Sequence, residues 1–170
     1  MDRAGFGLFL VRLSRDSMGM QKHDVHTQFG PLVLTEENGA ITGLSWGRSG
    51  RMDRSDVLEA ARSQLAAYDA GTRTSFDLPL RVVGSQFQRD VCTAMQAIPF
   101  GETVTYGKIA RALGASAQAI GRACGGNPIP IIIPCHRVMG AKGLTGFSGA
   151  GGVETKVALL RHEGAGGFLI

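Results

Sequence analysis

Three consecutive segments carry most of the architectural information: Thr105-Tyr-Gly-Lys-Ile-Ala-Arg-Ala-Leu-Gly114, Ala117-Gln-Ala-Ile-Gly-Arg-Ala-Cys124 and Ile129-Pro-Ile-Ile-Ile-Pro-Cys-His-Arg-Val138. The first predicts a short helix with Ile109, Ala112 and Leu113 inward and Gly114 as its stop. The second predicts another short helix, four residues on. Two short helices joined by so tight a turn have the outline of a helix-turn-helix, and an ordinary pair of antiparallel helices fits as well. The third segment is too apolar to face water and too short for a buried helix, so it reads as core with Cys135 at its end. Downstream, residues 152–163 form a last amphipathic helix that Gly164 closes. Upstream, Ser85 caps a helix whose stripe runs Phe87, Val91, Met95 and Ile98, ending at Pro99.

The first half has a different texture. Gln28-Phe-Gly-Pro-Leu-Val-Leu-Thr35 reads as a strand, Glu37-Asn-Gly39 as a hairpin turn, and Ala40 to Trp46 as the partner strand. Ser55 caps a helix with Val57, Leu58, Ala61, Leu65 and Tyr68 on one face, stopped by Gly71. Phe76, Leu78 and Leu80, followed by Val82 and Val83, predict a third strand. His23 and His26 precede the first strand and are expected in solvent. Residues 1–22 lack sustained periodicity and are set aside as an extension. The division is therefore 1–22, an N-terminal unit over 23–83, and a C-terminal domain over 84–170.

Composition excludes several classes. With 170 residues, 44% hydrophobic and 19% charged, the chain is an ordinary globular protein of one domain or two small ones, with a formal charge of +4. No apolar run approaches the roughly 18 residues of a membrane span. The patch from Phe6 to Val11 is too short for a secretory signal, so a cytoplasmic location is expected. Three cysteines are an odd number without paired spacing, and the four histidines do not join them at zinc-ligand spacing. Neither a disulfide framework, a metal nor a cofactor is expected. Cys92 and Cys124 read as small buried hydrophobes.

Cys135 is different because of its neighbours. Burial at the end of an apolar run raises a thiol pKa and makes it inert, so reactivity needs an imidazole or a cation nearby. His136 and Arg137 follow directly, and Glu163 can orient the imidazole. Nucleophile, base and orienter form a relay.

The run Asn127-Pro-Ile-Pro-Ile-Ile-Ile-Pro-Cys-His-Arg-Val138 resembles the active-site signature of the O6-alkylguanine-DNA alkyltransferases, the methylated-DNA–protein-cysteine methyltransferases. Phe100-Gly-Glu-Thr-Val-Thr-Tyr-Gly107, Gly146-Phe-Ser-Gly149 and Leu159-Leu-Arg-His-Glu-Gly164 match in the same order. The likeness is close over 84–164 and holds only in outline over 25–83. It implies an α+β fold, with a small three-stranded ribonuclease-H-like unit followed by a helical unit holding a winged-helix-like helix-turn-helix. It implies single-turnover repair: the alkyl group of O6-alkylguanine in DNA passes to Cys135, after base flipping by a helix in the minor groove. O4-alkylthymine is left open as a further substrate. The partner is duplex DNA, read with little sequence preference by a monomer.

By the same resemblance, His136 draws the thiol proton through a water and Glu163 holds the imidazole. Tyr106 crowds the 3′ phosphate and donates toward the leaving base, and Asn127 braces the site. Ser148 lies in the loop over the base, and the Cys135 and Val138 carbonyls accept from its exocyclic amine. Gln118, Ala119 and Arg122 fall on the DNA side, and Arg137 is grouped with them although it is expected to pair with an unidentified carboxylate. Two departures stand out. Gln118 occupies the position where the family carries an arginine that fills the gap left by the flipped base, with Arg122 one turn on as the alternative. Phe147 precedes Ser148 where tyrosine would be unsurprising. Three rivals are a lesion-binding relative without transfer, a transcription regulator and a cysteine hydrolase. Cys135 itself, the lack of an effector domain and the lack of a distant base argue against them in turn.

Overall fold

The structure, a computed structural model, describes residues 19–144 and 149–165. Three antiparallel strands, β1 (Gln21–Thr27), β2 (Gly30–Glu37) and β3 (Ala40–Trp46), form a sheet in the order β1-β2-β3. The hairpin between β2 and β3 turns at Asn38 and Gly39, both at positive φ (50° and 80°), as a tight two-residue turn requires. Helix α1 (Asp56–Asp69), capped by the Ser55 side chain on the Leu58 amide, buries Leu58, Ala61, Leu65 and Tyr68.

The sheet has the expected strand count but not the expected members. Residues 76–83 make one bridge, Ile41 to Leu80, with Ile41 N donating to Pro79 O at 2.8 Å and Arg81 N to Ile41 O at 2.9 Å. Pro79 has no N–H to continue a ladder. The apolar side chains Phe76, Leu78, Leu80 and Val82 instead pack against the core. The third strand is β1, which begins at Gln21, inside the stretch set aside as an extension. His23, expected in solvent, is buried, with Nδ1 2.9 Å from the Asp53 carbonyl. His26 is exposed as anticipated. An alternation of Lys22, Asp24 and His26 with His23 and Val25 hides this strand, because histidine on the inner face reads as polar.

The second half is helical. Helix α2 (Gln86–Gln96) is capped by Ser85. The short strand β4 (Val104–Thr105) leads into α3 (Tyr106–Leu113), a turn through Gly114 at φ 63°, and α4 (Ala117–Gly125), capped by Ser116. Ile109 and Ala110 are the buried residues of α3, while Ala112 and Leu113 are exposed. The inward face is thus rotated by a residue or two from the expected stripe. A single 3₁₀ turn, Cys135–Arg137, precedes β5 (Val138–Met139), and α5 (Val153–His162) follows. β4 and β5 pair in parallel, Val104 with Val138 and Thr105 with Met139. That pairing sets the start of α3, and so Tyr106, beside the cysteine turn.

One continuous cluster of buried side chains runs from Val25, Leu34 and Ile41 through Leu58 and Tyr68 to Val91, Ile120, Ile133 and Leu159. The two halves share a core. Their backbones also meet, where Leu44 N on β3 donates to Pro128 O at 2.9 Å.

Candidate active site

The segment before Cys135 is held by its own side chain–backbone bonds. Asn127 Nδ2 donates to Ile133 O at 2.8 Å, and Asn127 Oδ1 accepts from Ile129 N at 3.0 Å. Ile133 N donates to Ile129 O at 2.8 Å, and Cys135 N to Ile133 O at 2.9 Å. Within this knot Ile131 sits at φ 70°, a left-handed conformation that a β-branched residue adopts only under strain. Strain held by the surrounding bonds, four residues before a candidate nucleophile, is what a preorganised site looks like.

Cys135 is buried, 4% exposed. Burial pushes its thiol pKa up, and a hydrogen bond from Asn127 and the charge of Lys156 oppose that rise. His136 is 0% exposed. Its Nε2 lies 2.7 Å from Glu163 Oε1, so Nε2 carries the proton that the carboxylate accepts. Nδ1 keeps the lone pair, and it is buried without a hydrogen-bond partner among the described residues. Burial lowers the His136 pKa against the pull of Glu163, and the ring is a neutral base.

Glu163 is the hub. Arg137 Nε donates to Oε2 and its NH2 to Oε1, both at 2.9 Å, while NH1 donates to Ile98 O at 2.6 Å. The hydroxyl of Tyr68 donates to Oε1 at 2.8 Å. Burial alone would push the carboxyl up. The bonds and charges of His136 and Arg137 outweigh it and hold the pKa at about 2. Gly101 closes the hub from the other side, at φ 79°, where a Cβ would stand 3.1 Å from Glu163 O.

The structure therefore brings Cys135, His136 and Glu163 together as expected, with Asn127 beside them and Tyr106 across the β4–β5 pair. Arg137 finds its carboxylate, and that carboxylate is Glu163. Its guanidinium is buried and turned inward, so it serves the relay and not the DNA-facing surface with which it was grouped. The Cys135 and Val138 carbonyls each already accept one bond, from Val138 N and from Lys156 Nζ at 2.6 Å. Each retains a second lone pair. Gln118 and Arg122 are exposed on α4, with Ala119 half-buried between them. Ser148 and Phe147 lie outside the described residues. Cys92 and Cys124 are buried. Burial pushes the Cys124 thiol up to about 12, and Cys124 Sγ rests 3.5 Å from Met95 Sδ.

Sequence reasoning missed two residues. Lys156 is buried, with Nζ 5.9 Å above the Tyr106 ring centre. The signal was present: Lys156, Leu159 and Leu160 share the buried face of α5 with the C-cap residue Glu163, and a lysine on an inward stripe needs a reason. Tyr68 likewise ends the inward stripe of α1, where a buried phenol requires a partner.

Comparison with known proteins gives the family. Residues 86–165 match the family model of the 6-O-methylguanine DNA methyltransferase DNA-binding domain. A methylated-DNA–protein-cysteine methyltransferase of Mycolicibacterium paratuberculosis is 43% identical over 149 residues, covering 82% of this chain and 89% of that protein. The chain belongs to the methylated-DNA–protein-cysteine methyltransferase family. A Salmonella typhimurium member is 50% identical over 161 residues, covering 82% and 93%. The crystal structure of the Mycobacterium tuberculosis O6-methylguanine methyltransferase superposes with a TM-score of 0.77 at 39% identity, covering 86% of this chain and 93% of that one. A structure of the M. tuberculosis protein in complex with DNA gives 0.76 at 41%, covering 88% and 97%. The activity of this family is DNA repair by transfer of a methyl group to a cysteine of the protein.

The Glu163 hub has a pH signature. Its carboxyl is depressed from 4.5 to about 2, so its stabilising contribution is complete above about pH 4.5 and is lost as pH falls toward 2. On the order of 3 kcal/mol is at stake. Urea unfolding at stepped pH should show the stability gap between wild type and Glu163→Gln closing across that window. A gap of constant size would show that the carboxylate is not held ionised.

Proposed function

We propose that Cys135 is the acceptor, and that it takes the alkyl group from O6-alkylguanine flipped out of duplex DNA. The observation that carries this reading is the buried His136–Glu163 pair directly following a buried thiol. Glu163 fixes the imidazole with its proton on Nε2, which leaves Nδ1 as the base. The thiol proton passes to Nδ1 across a bridging water, and the positive imidazolium is stabilised by the carboxylate behind it. The Cys135 sulfur then attacks the alkyl carbon. A C–S bond forms, the carbon–O6 bond breaks, and the electron pair leaves with the base. Tyr106 supplies a proton to that base, and the Lys156 ammonium beside its ring eases the loss. The product is a thioether, a stable linkage, so each molecule acts once.

DNA binding is assigned to the α3–α4 pair. Small residues on α4 and at its C-cap allow close approach to a minor groove, Ala117, Ala119 and Gly125 on the helix and Gly126 at the cap, whereas Ala123 faces the core. Asn127 braces the cysteine loop, and the Val138 carbonyl and Ser148 are assigned to the base. The β4–β5 pair beside α3 and α4 supports the winged-helix-like description of 84–170. The three-stranded sheet with α1 supports the ribonuclease-H-like description of 23–83. A monomer acting in the cytoplasm completes the proposal. Among the described residues no helix is long and apolar enough to cross a membrane.

Incubating the protein with methylated duplex DNA should add the mass of one methyl group, in exchange for one hydrogen, to the peptide containing Cys135. Cys135→Ser should abolish the gain while leaving fold and DNA affinity in place. Methyl found on Cys92 or Cys124 would overturn the assignment.

The helix facing DNA generates a second expectation. Gln118 is neutral and short, whereas a planar cation stacks in the gap left by a flipped base. Gln118→Arg should tighten duplex binding by about 5- to 30-fold and steepen its salt dependence. If Gln118→Arg gains nothing while Arg122→Ala loses roughly tenfold, Arg122 fills the gap.

A further inference from the structure

Tyr68 lies on α1, in the half of the molecule that contributes none of the groups assigned above, yet its hydroxyl reaches the centre of the relay. It is 1% exposed, and its Oη donates to Glu163 Oε1 at 2.8 Å. That is the same oxygen that accepts from His136 Nε2 at 2.7 Å. The ring is caged by Phe29, Phe76, Phe100 and His162 at centroid distances of 5.0 to 6.3 Å. Its carbonyl is gripped as well, 2.6 Å from His162 Nε2. Side chain and backbone are thus clamped by the adjacent residues His162 and Glu163. So firm a hold on a phenol exceeds what packing alone needs.

We infer that Tyr68 is a positioning residue of the transfer relay, setting the proton affinity of His136 by sharing the Glu163 oxygen that holds the imidazole. The inference rests on the reading of Cys135–His136–Glu163 given above. A carboxylate oxygen that accepts from a phenol has less electron density to offer an imidazole proton. The hydroxyl therefore weakens the hold of Glu163 on an imidazolium and keeps His136 a free base further into acid. The charged and titratable groups facing Tyr68, Glu163 and His136 are Arg137 from the cysteine turn, Lys156 and His162 from α5, and Asp69 at the end of α1. Tyr68→Phe alters none of them and keeps the ring in its cage. The N-terminal half then has a chemical role, delivering one hydroxyl to the relay.

The test is Tyr68→Phe, followed by the His136 side-chain nitrogen resonances between pH 4 and 8 in DNA-free protein, and by the single-turnover rate on methylated duplex over the same range. Loss of the hydroxyl should raise the His136 midpoint by about 0.5 to 1 pH unit. The acid limb of the rate profile should move up with it, with DNA affinity unchanged. Phe76→Leu, which loosens the cage but leaves the hydroxyl, should lower stability without moving the midpoint. A Tyr68→Phe midpoint equal to wild type, or a Phe76→Leu midpoint that moves as far, overturns the inference. The two readings fail separately. Wild-type protein that transfers no methyl removes the proposed function, whereas the His136 midpoint tests Tyr68 without any substrate.

Discussion

The carboxylate of Glu163 is the one buried charge around which the two halves of the chain are arranged. Removing an ionised carboxylate from water costs several kcal/mol unless its lone pairs are filled. Here they are filled from three directions: Arg137 and His136 from the cysteine turn, Tyr68 from α1, and the Gly101 amide at 3.5 Å from the loop before β4. Take any donor away and the charge is left partly unpaired in a dry place, which is more destabilising than never having built the cluster. The parts that must be positioned for chemistry are thereby the parts that must be present for the charge to be tolerated.

The same economy governs the cysteine loop. Prolines at 128, 130 and 134 remove amides that would otherwise need partners, the Asn127 side chain satisfies the Ile129 amide and the Ile133 carbonyl, and backbone carbonyls within the loop take the amides of Ile132, Ile133 and Cys135. The edge of the sheet adds the Leu44–Pro128 bond. The result is a segment of irregular backbone, buried from Ile129 onward, that holds Ile131 in a strained conformation and delivers Cys135 to the start of a 3₁₀ turn. A rigid thiol suits a displacement at carbon, in which sulfur, carbon and the leaving oxygen must stand in line. It also explains why the thiol needs help: rigidity comes with burial, and burial opposes the thiolate.

How much of this was legible in the sequence follows from how local each signal is. The caps at Ser55 and Ser85, the Asn38-Gly39 turn and the Gly114 stop are written in adjacent residues, and each stands where the pattern put it. So does the Cys135–His136 pair. Partners that arrive from a distance were legible only in part: Glu163 was expected to hold His136, 27 residues away, but was not matched to Arg137. Arg137 plainly wanted a carboxylate, and spacing alone could not name one 26 residues away. Tyr68 lies 95 residues from Glu163; its place on the inward stripe of α1 says that the phenol needs a partner but not which one. β1 was missed because an inward histidine breaks the alternation, and 76–83 was over-read because apolar alternation was weighed above the missing amide of Pro79.

The central claim is that Glu163 organises the relay chemically and not only as a strut. The most direct measurement is the single-turnover methyl-transfer rate of Glu163→Gln beside its dissociation constant for the same methylated duplex, under conditions where the variant is folded. A neutral amide neither stabilises an imidazolium nor fixes the proton on Nε2. The account predicts a rate lower by about a hundredfold or more, with duplex affinity within about twofold of wild type. A variant that binds and transfers like wild type would contradict it.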